Sequence, residues 1–117
     1  MSIVYVDVVQ EQVTASNVTV YTAPSASNFE SAHIVYGNCA NEGATDTELT
    51  INIVQSGGAV AVTNQYFPPK VIFAGRTDPL TPLVGRAIKT GDFISSIASL
   101  ASNLNLSMTI KEIYSDT

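Results

Sequence analysis

The amino-acid sequence predicts an all-β fold, an antiparallel β-sandwich of Ig-like or jelly-roll-like architecture with seven to eight strands. Three observations predict it. Apolar residues alternate with polar ones at period two in short runs, as in strands with one buried face. Turn residues interrupt these runs every ten to twelve positions, the rhythm of a sandwich. The one stretch with helical spacing, SSIASLASN at 95–103, carries five Ser or Asn residues in nine, and these residues favour turns and caps over helix interiors.

Residues 3–9 open the chain with a run rich in β-branched side chains, placing Val4, Val6 and Val8 on one face. NVTVYT at 17–22 alternates again, and Pro24 with its small polar neighbours makes 22–28 a loop. Residues 32–39 read as a strand that places Ile34 and Tyr36 together, ending at the turn NEG, 41–43. ELTINIVQ at 48–55 sets Leu49, Ile51 and Ile53 against Thr50 and Asn52, and SGG at 56–58 is the next turn. Residues 59–63 form a short edge strand or a loop. Pro68 and Pro69 exclude a central strand, since each lacks a donor, and pairing resumes at 71–73. The run 80–88 contains Pro82 and starts as an edge. KTGD at 89–92 then joins it to 93–98 as a tight hairpin, with Gly91 supplying a positive φ. In 95–103 we expect the end of one strand, a loop and the start of the next. The last strand puts Leu104, Leu106, Met108 and Ile110 on one face and Asn105, Ser107, Thr109 and Lys111 on the other. The 117 residues form one sandwich domain on this reading, with 1–15 as an N-terminal arm or edge strand.

Composition narrows the function. Hydrophobic residues make up 45% of the chain, enough for a core, but only 13% are charged, about half the roughly 25% of an average soluble domain. A surface poor in ions suits a subunit packed against neighbours, because the cores of interfaces are depleted of charge. The net charge of −5 and the scatter of Lys70, Arg76, Arg86, Lys89 and Lys111 exclude a nucleic-acid patch and an anionic membrane surface. No apolar run approaches the ~20 residues of a membrane helix. The opening MSIVYVDVVQ lacks the basic region of a secretory signal, and synthesis in a cytoplasm is expected. The single cysteine, Cys39, allows no intrachain disulfide.

Catalytic chemistry is not legible. His33 is the sole histidine; Cys39 follows six residues later on the same expected strand, roughly 20 Å away at strand rise. One His and one Cys do not close a zinc site. Glu42, Asp46 and Glu48 lack the spacing of a calcium loop and read as a solvated turn. There is no GxSxG elbow and no phosphate cradle. The expectation is a protein that is not an enzyme and takes no cofactor or metal. Contact residues are expected instead: Tyr66, Phe67, Pro68 and Pro69 as a rigid knob, and Tyr5 and Tyr114 near the chain ends, where an extended segment adds to a neighbour's sheet.

Several segments follow one another in a familiar order: VYTAPSAS at 20–27, a strand ending at Asn38, ELTINIVQSGG at 48–58, and KTGDFISSIASLASNLNLSMTIKEI at 89–113. In this series the chain resembles small β-sandwich structural proteins of tailed bacteriophage virions, over about residues 18–114. Residues 3–9 and YFPPK at 66–70 lie outside the shared pattern. The resemblance implies a virion protein assembled in the host cytoplasm. It implies foremost a capsid decoration (cement) protein, trimeric or dimeric, bound to the major capsid protein or to other virion proteins. A tail or head–tail junction subunit is the alternative within that class. A receptor- or carbohydrate-binding module is the alternative outside it, for which the five tyrosines would have to stack on sugar in the absence of any Trp.

Overall fold

The computed structural model describes residues 1–66 and 68–116. Nine strands occur among them: β1 (Ser2–Gln10), β2 (Val18–Thr22), β3 (Phe29–Asn41), β4 (Thr47–Val54), β5 (Lys70–Ile72), β6 (Thr77–Pro79), β7 (Ala87–Ile88), β8 (Phe93–Ala98) and β9 (Leu104–Tyr114). They form two antiparallel sheets packed as a sandwich. One has the order β1-β9-β3-β6, with β7 also pairing to β3; the other has the order β2-β8-β4-β5. The count is one above the seven to eight expected, because the run 80–88 does not form one element. It holds a 3-10 turn at Thr81–Leu83 and the two-residue β7, while β6 precedes it as a strand too short to show a period.

The core lies between the sheets and follows the alternation. On β9, Leu104, Leu106, Met108 and Ile110 are all buried, and the residues between them are half-exposed on the other face. Leu49, Ile51, Ile34, Ile72, Ile88 and Ile94 complete the interior. Burial of each such side chain contributes roughly 1.5–3 kcal/mol, so these inward positions drive the two sheets together. β3, with thirteen residues, and β9, with eleven, set the long axis of a body 50 × 25 × 20 Å in extent.

Three local expectations are corrected. Ile34 and Tyr36 do not lie together: Ile34 faces Ile110 and Tyr36 faces Thr109, so one extra residue sits between them as a β-bulge. Ile34 therefore remains in the core while Tyr36 turns to the outer face. The KTGD turn is real, with Gly91 at φ 78° and the Asp92 amide donating to the Lys89 carbonyl, but it is not a hairpin. β7 pairs with β3 in one sheet and β8 with β2 and β4 in the other, so the turn carries the chain from sheet to sheet. Asn52 is not on a wet face. The 59–66 loop folds over it, and its side-chain amide donates to the Ala61 carbonyl at 2.8 Å and to Asn64 Oδ1 at 2.6 Å. Residues 59–63 take the loop alternative, with a 3-10 turn at Val62–Asn64. The 95–103 stretch resolves as expected, since β8 ends at Ala98 and β9 begins at Leu104.

The segment after β1 closes one end of the sandwich. Val13 is fully buried; its amide donates to the Leu104 carbonyl, and its own carbonyl accepts from Ser102. The chain thereby passes from the edge of the larger sheet to the edge of the smaller one, which leaves β1 and β2 as outer strands on the same side of the molecule.

Candidate functional site

The residues that could carry chemistry are placed apart. Cys39 is fully buried on the core side of β3, opposite Leu106. His33 lies on the other side of that strand, opposite Lys111, half-exposed. Ser31 Oγ approaches His33 Nε2 at 3.4 Å, the far limit of a hydrogen bond. This pair sits on an open sheet surface and lines neither of two clefts found among the described residues, and the strand register sets Lys111 rather than a carboxylate opposite His33. A nucleophilic dyad needs an orienting third group and a cradle for the reacting atom. Among the described residues, no group of three or more His, Cys, Asp or Glu side chains could hold a metal ion. Asp46 accepts the Ala74 amide at 3.0 Å, which ties a loop to the end of β5.

Burial pushes the Cys39 thiol up to about 12, with a smaller contribution from the Asp78 carboxylate. Burial also raises Tyr21, helped by its hydrogen bond to Glu112. Both groups stay protonated in the folded chain at pH values where the unfolded chain has released the proton. Stability is therefore complete below about pH 9 and declines as pH rises through the Cys39 value. Urea unfolding followed from pH 8 to 11 is expected to show a loss of up to about 1.4 kcal/mol per pH unit from Cys39 alone. Cys39→Ala is expected to flatten that slope, and an unchanged slope would contradict the assignment.

One of these clefts, about 690 Å³, lies between the 55–66 loop and the 86–92 turn. Its walls are tied inside the fold. The Arg86 guanidinium lies over the Tyr66 ring, 5.0 Å from its centroid. The Asp92 carboxylate accepts the amides of Ser56 and Lys89, both at 3.1 Å.

The expected contact residues fall in three places. Tyr66 is half-buried and packs against the core; Pro68 and Pro69 are exposed just before β5; Phe67 lies outside the described residues. Tyr114 points inward, packs edge-to-face on Phe29 at 5.6 Å and donates its hydroxyl to Glu112 at 2.7 Å. Tyr5 is 63% exposed on the outer face of β1.

Around Tyr5 the sheet presents its most distinctive surface. Strand register places Ile3, Tyr5, Asp7 and Val9 of β1 beside Ile113, Lys111, Thr109 and Ser107 of β9. Tyr36 and Asn38 of β3 lie beside Thr109 and Ser107 in turn, and the Asn38 amide donates to the Tyr36 hydroxyl. Val9 is 65% exposed and Tyr36 51%. Asp7 and Lys111 are the ionised side chains that β1 and β9 contribute to this face, and Asp7 is engaged by the Thr109 hydroxyl at 3.0 Å. Sequence reasoning missed Ile3, Val9 and Tyr36. The signal for the first two was present: β1 is apolar on both faces, more than a strand with a single buried side needs. Tyr36 depends on the bulge, which leaves no mark in the pattern.

No family model matches the chain, and no curated protein matches it in sequence. Solved structures are similar in fold. The chain is similar to one of the disulfide-linked pili that form Bacillus endospore appendages, with 19% identity and a TM-score of 0.55 over 97% of this chain and 90% of that one. It is also similar to infectious bursal disease virus, Gx strain, with 14% identity and a TM-score of 0.50 over 99% of this chain but only 33% of that one. At these identities the likeness is one of architecture.

Proposed function

We propose that the chain is a non-enzymatic structural subunit held in a protein particle through the outer face of its five-stranded sheet. The observation that carries this is that face itself: poor in ions, and bearing exposed Ile3, Tyr5, Val9 and Tyr36. Exposed apolar area of this kind marks a contact surface, and aromatic residues dominate binding energy at such surfaces. In the form the sequence resemblance supports, the subunit decorates and cements a tailed-phage capsid, bound to the major capsid protein or another virion protein. The fold likeness to a virus protein supports a particle role.

The fold likeness to a pilus protein over nearly the full length of both chains favours a second reading, a fibre subunit. Such a fibre would be held without disulfides, because the sole cysteine of this sequence is fully buried.

Co-sedimentation with particles that lack the protein tests the first reading. The wild-type chain is expected in the pellet. Tyr36→Lys puts a charge into the face without touching the core and is expected to weaken binding about tenfold or more, with thermal unfolding unchanged. Wild-type protein left in the supernatant, or equal binding by the variant, would contradict it.

A further inference from the structure

The four outer edges of the sandwich are not alike. β5 and β6 have three residues each, β7 two, and Pro79 ends β6. β2 has five residues and a register shift between Thr19 and Tyr21. Short length, proline and bulges are the usual protections of a sheet edge against pairing with another chain. β1 has none of them. Its nine residues pair with β9 in unbroken register, and it contains no Pro, Gly or Lys. Its opposite side offers a full row of backbone donors and acceptors among the described residues.

Read in both directions, SIVYVDVVQ is nearly its own complement. With Val6 at the centre of an antiparallel pair, Ser2 meets Gln10, Ile3 meets Val9, Val4 meets Val8, and Tyr5 meets Asp7. Every contact joins like with like or a hydroxyl with a carboxylate. Centring on Tyr5 sets Ile3 against Asp7 and Ser2 against Val8. Centring on Asp7 sets two carboxylates face to face, which is destabilising. These are the nearest registers that keep the core side and the outer side of each strand aligned. Only the Val6 centre also uses all nine residues. It sets Val4, which is 46% exposed although it points to the core side, beside Val8 of the other copy.

We propose that β1 is a self-pairing edge: two copies of this chain join β1 to β1 antiparallel about a two-fold axis at Val6, making one continuous ten-stranded sheet. This deepens the structural-subunit reading and rests on it, with a second copy of the chain as the partner. An isologous contact of this kind closes on itself, and it doubles the outer face rather than covering it.

Disulfide trapping reads the register. Opposed residues of an antiparallel pair have Cα atoms about 4.5–5.5 Å apart, inside the range a disulfide spans. Tyr5→Cys and Asp7→Cys are both outward substitutions on β1 and leave the core intact. Cys39 remains in place, buried in both variants. Mixed in equal amounts and treated with oxidised glutathione, the two variants are expected to give a covalent heterodimer. Each alone is expected to stay uncrosslinked, because the Val6 centre holds like positions about 8 Å apart. Self-crosslinking of Tyr5→Cys or of Asp7→Cys would move the centre and overturn the proposal. Absence of crosslinks from the mixture and from both single variants would also overturn it. If wild-type protein still co-sediments with particles in that case, the structural-subunit reading stands and the self-pairing edge alone falls. Tyr36→Lys leaves β1 untouched, so the two tests are independent.

Discussion

Ile110→Ala is expected to destabilise the chain by about 3–5 kcal/mol, the cost of a fully buried large-to-small change that leaves a cavity. Ile110 is fully buried on the central strand of the larger sheet, with Val6 of β1 on one side and Ile34 of β3 on the other. Neither neighbour can collapse into the space, because each is fixed by its own backbone ladder. A domain of this size has about 5–15 kcal/mol in total, so the variant gives up a large share. The thermal midpoint is expected to fall by about 10–20 °C. Tyr5→Ala, one strand away but directed outward, is expected to change stability by at most about 0.5 kcal/mol. Equal effects of the two changes in calorimetry would mean that β1 and β9 do not present the faces described.

The second large effect concerns Glu112, a carboxylate that is only 6% exposed. It is tolerated there because it accepts hydrogen bonds from Tyr21 at 2.5 Å and Tyr114 at 2.7 Å. Tyr21 belongs to β2 of the smaller sheet and Glu112 to β9 of the larger, so the bond clamps one sheet to the other. Glu112→Ala strands the Tyr21 hydroxyl in the interior and is expected to cost about 2 kcal/mol or more. Tyr21→Phe is expected to cost less, about 1 kcal/mol, since the carboxylate retains Tyr114. The double variant is expected to be less destabilised than the sum of the two, with a coupling of about 1 kcal/mol in a double-mutant cycle. Strict additivity in urea unfolding would contradict the clamp.

The fold was legible where a strand has one wet and one dry face. In β9 and β4 the alternation of Leu104, Leu106, Met108 and Ile110, and of Leu49 and Ile51, is the core itself. Legibility failed where tertiary contacts supply what the local pattern lacks. The bulge beside Tyr36 costs nothing in sequence terms, because a Val or Tyr fits either face of a strand. The run 80–88, the KTGD turn and 93–98 read as a hairpin because Gly91 marks a turn, but a turn does not say which sheet the next strand joins. The alternation puts Asn52 on the polar face of β4, and polarity suggests water, whereas here the loop carrying Ala61 and Asn64 provides its partners. Of the proposed contact surface, Tyr5 could be named from its place in an apolar arm. The face to which it belongs required the register that puts β3 two strands away.

Sedimentation velocity across a range of protein concentrations tests most directly whether this chain exists to be covered by other subunits. A mass that rises from one to two copies with concentration, together with transfer of the protein to the pellet when particles are added, is the predicted result. A species of one copy at every concentration, indifferent to added particles, would contradict it.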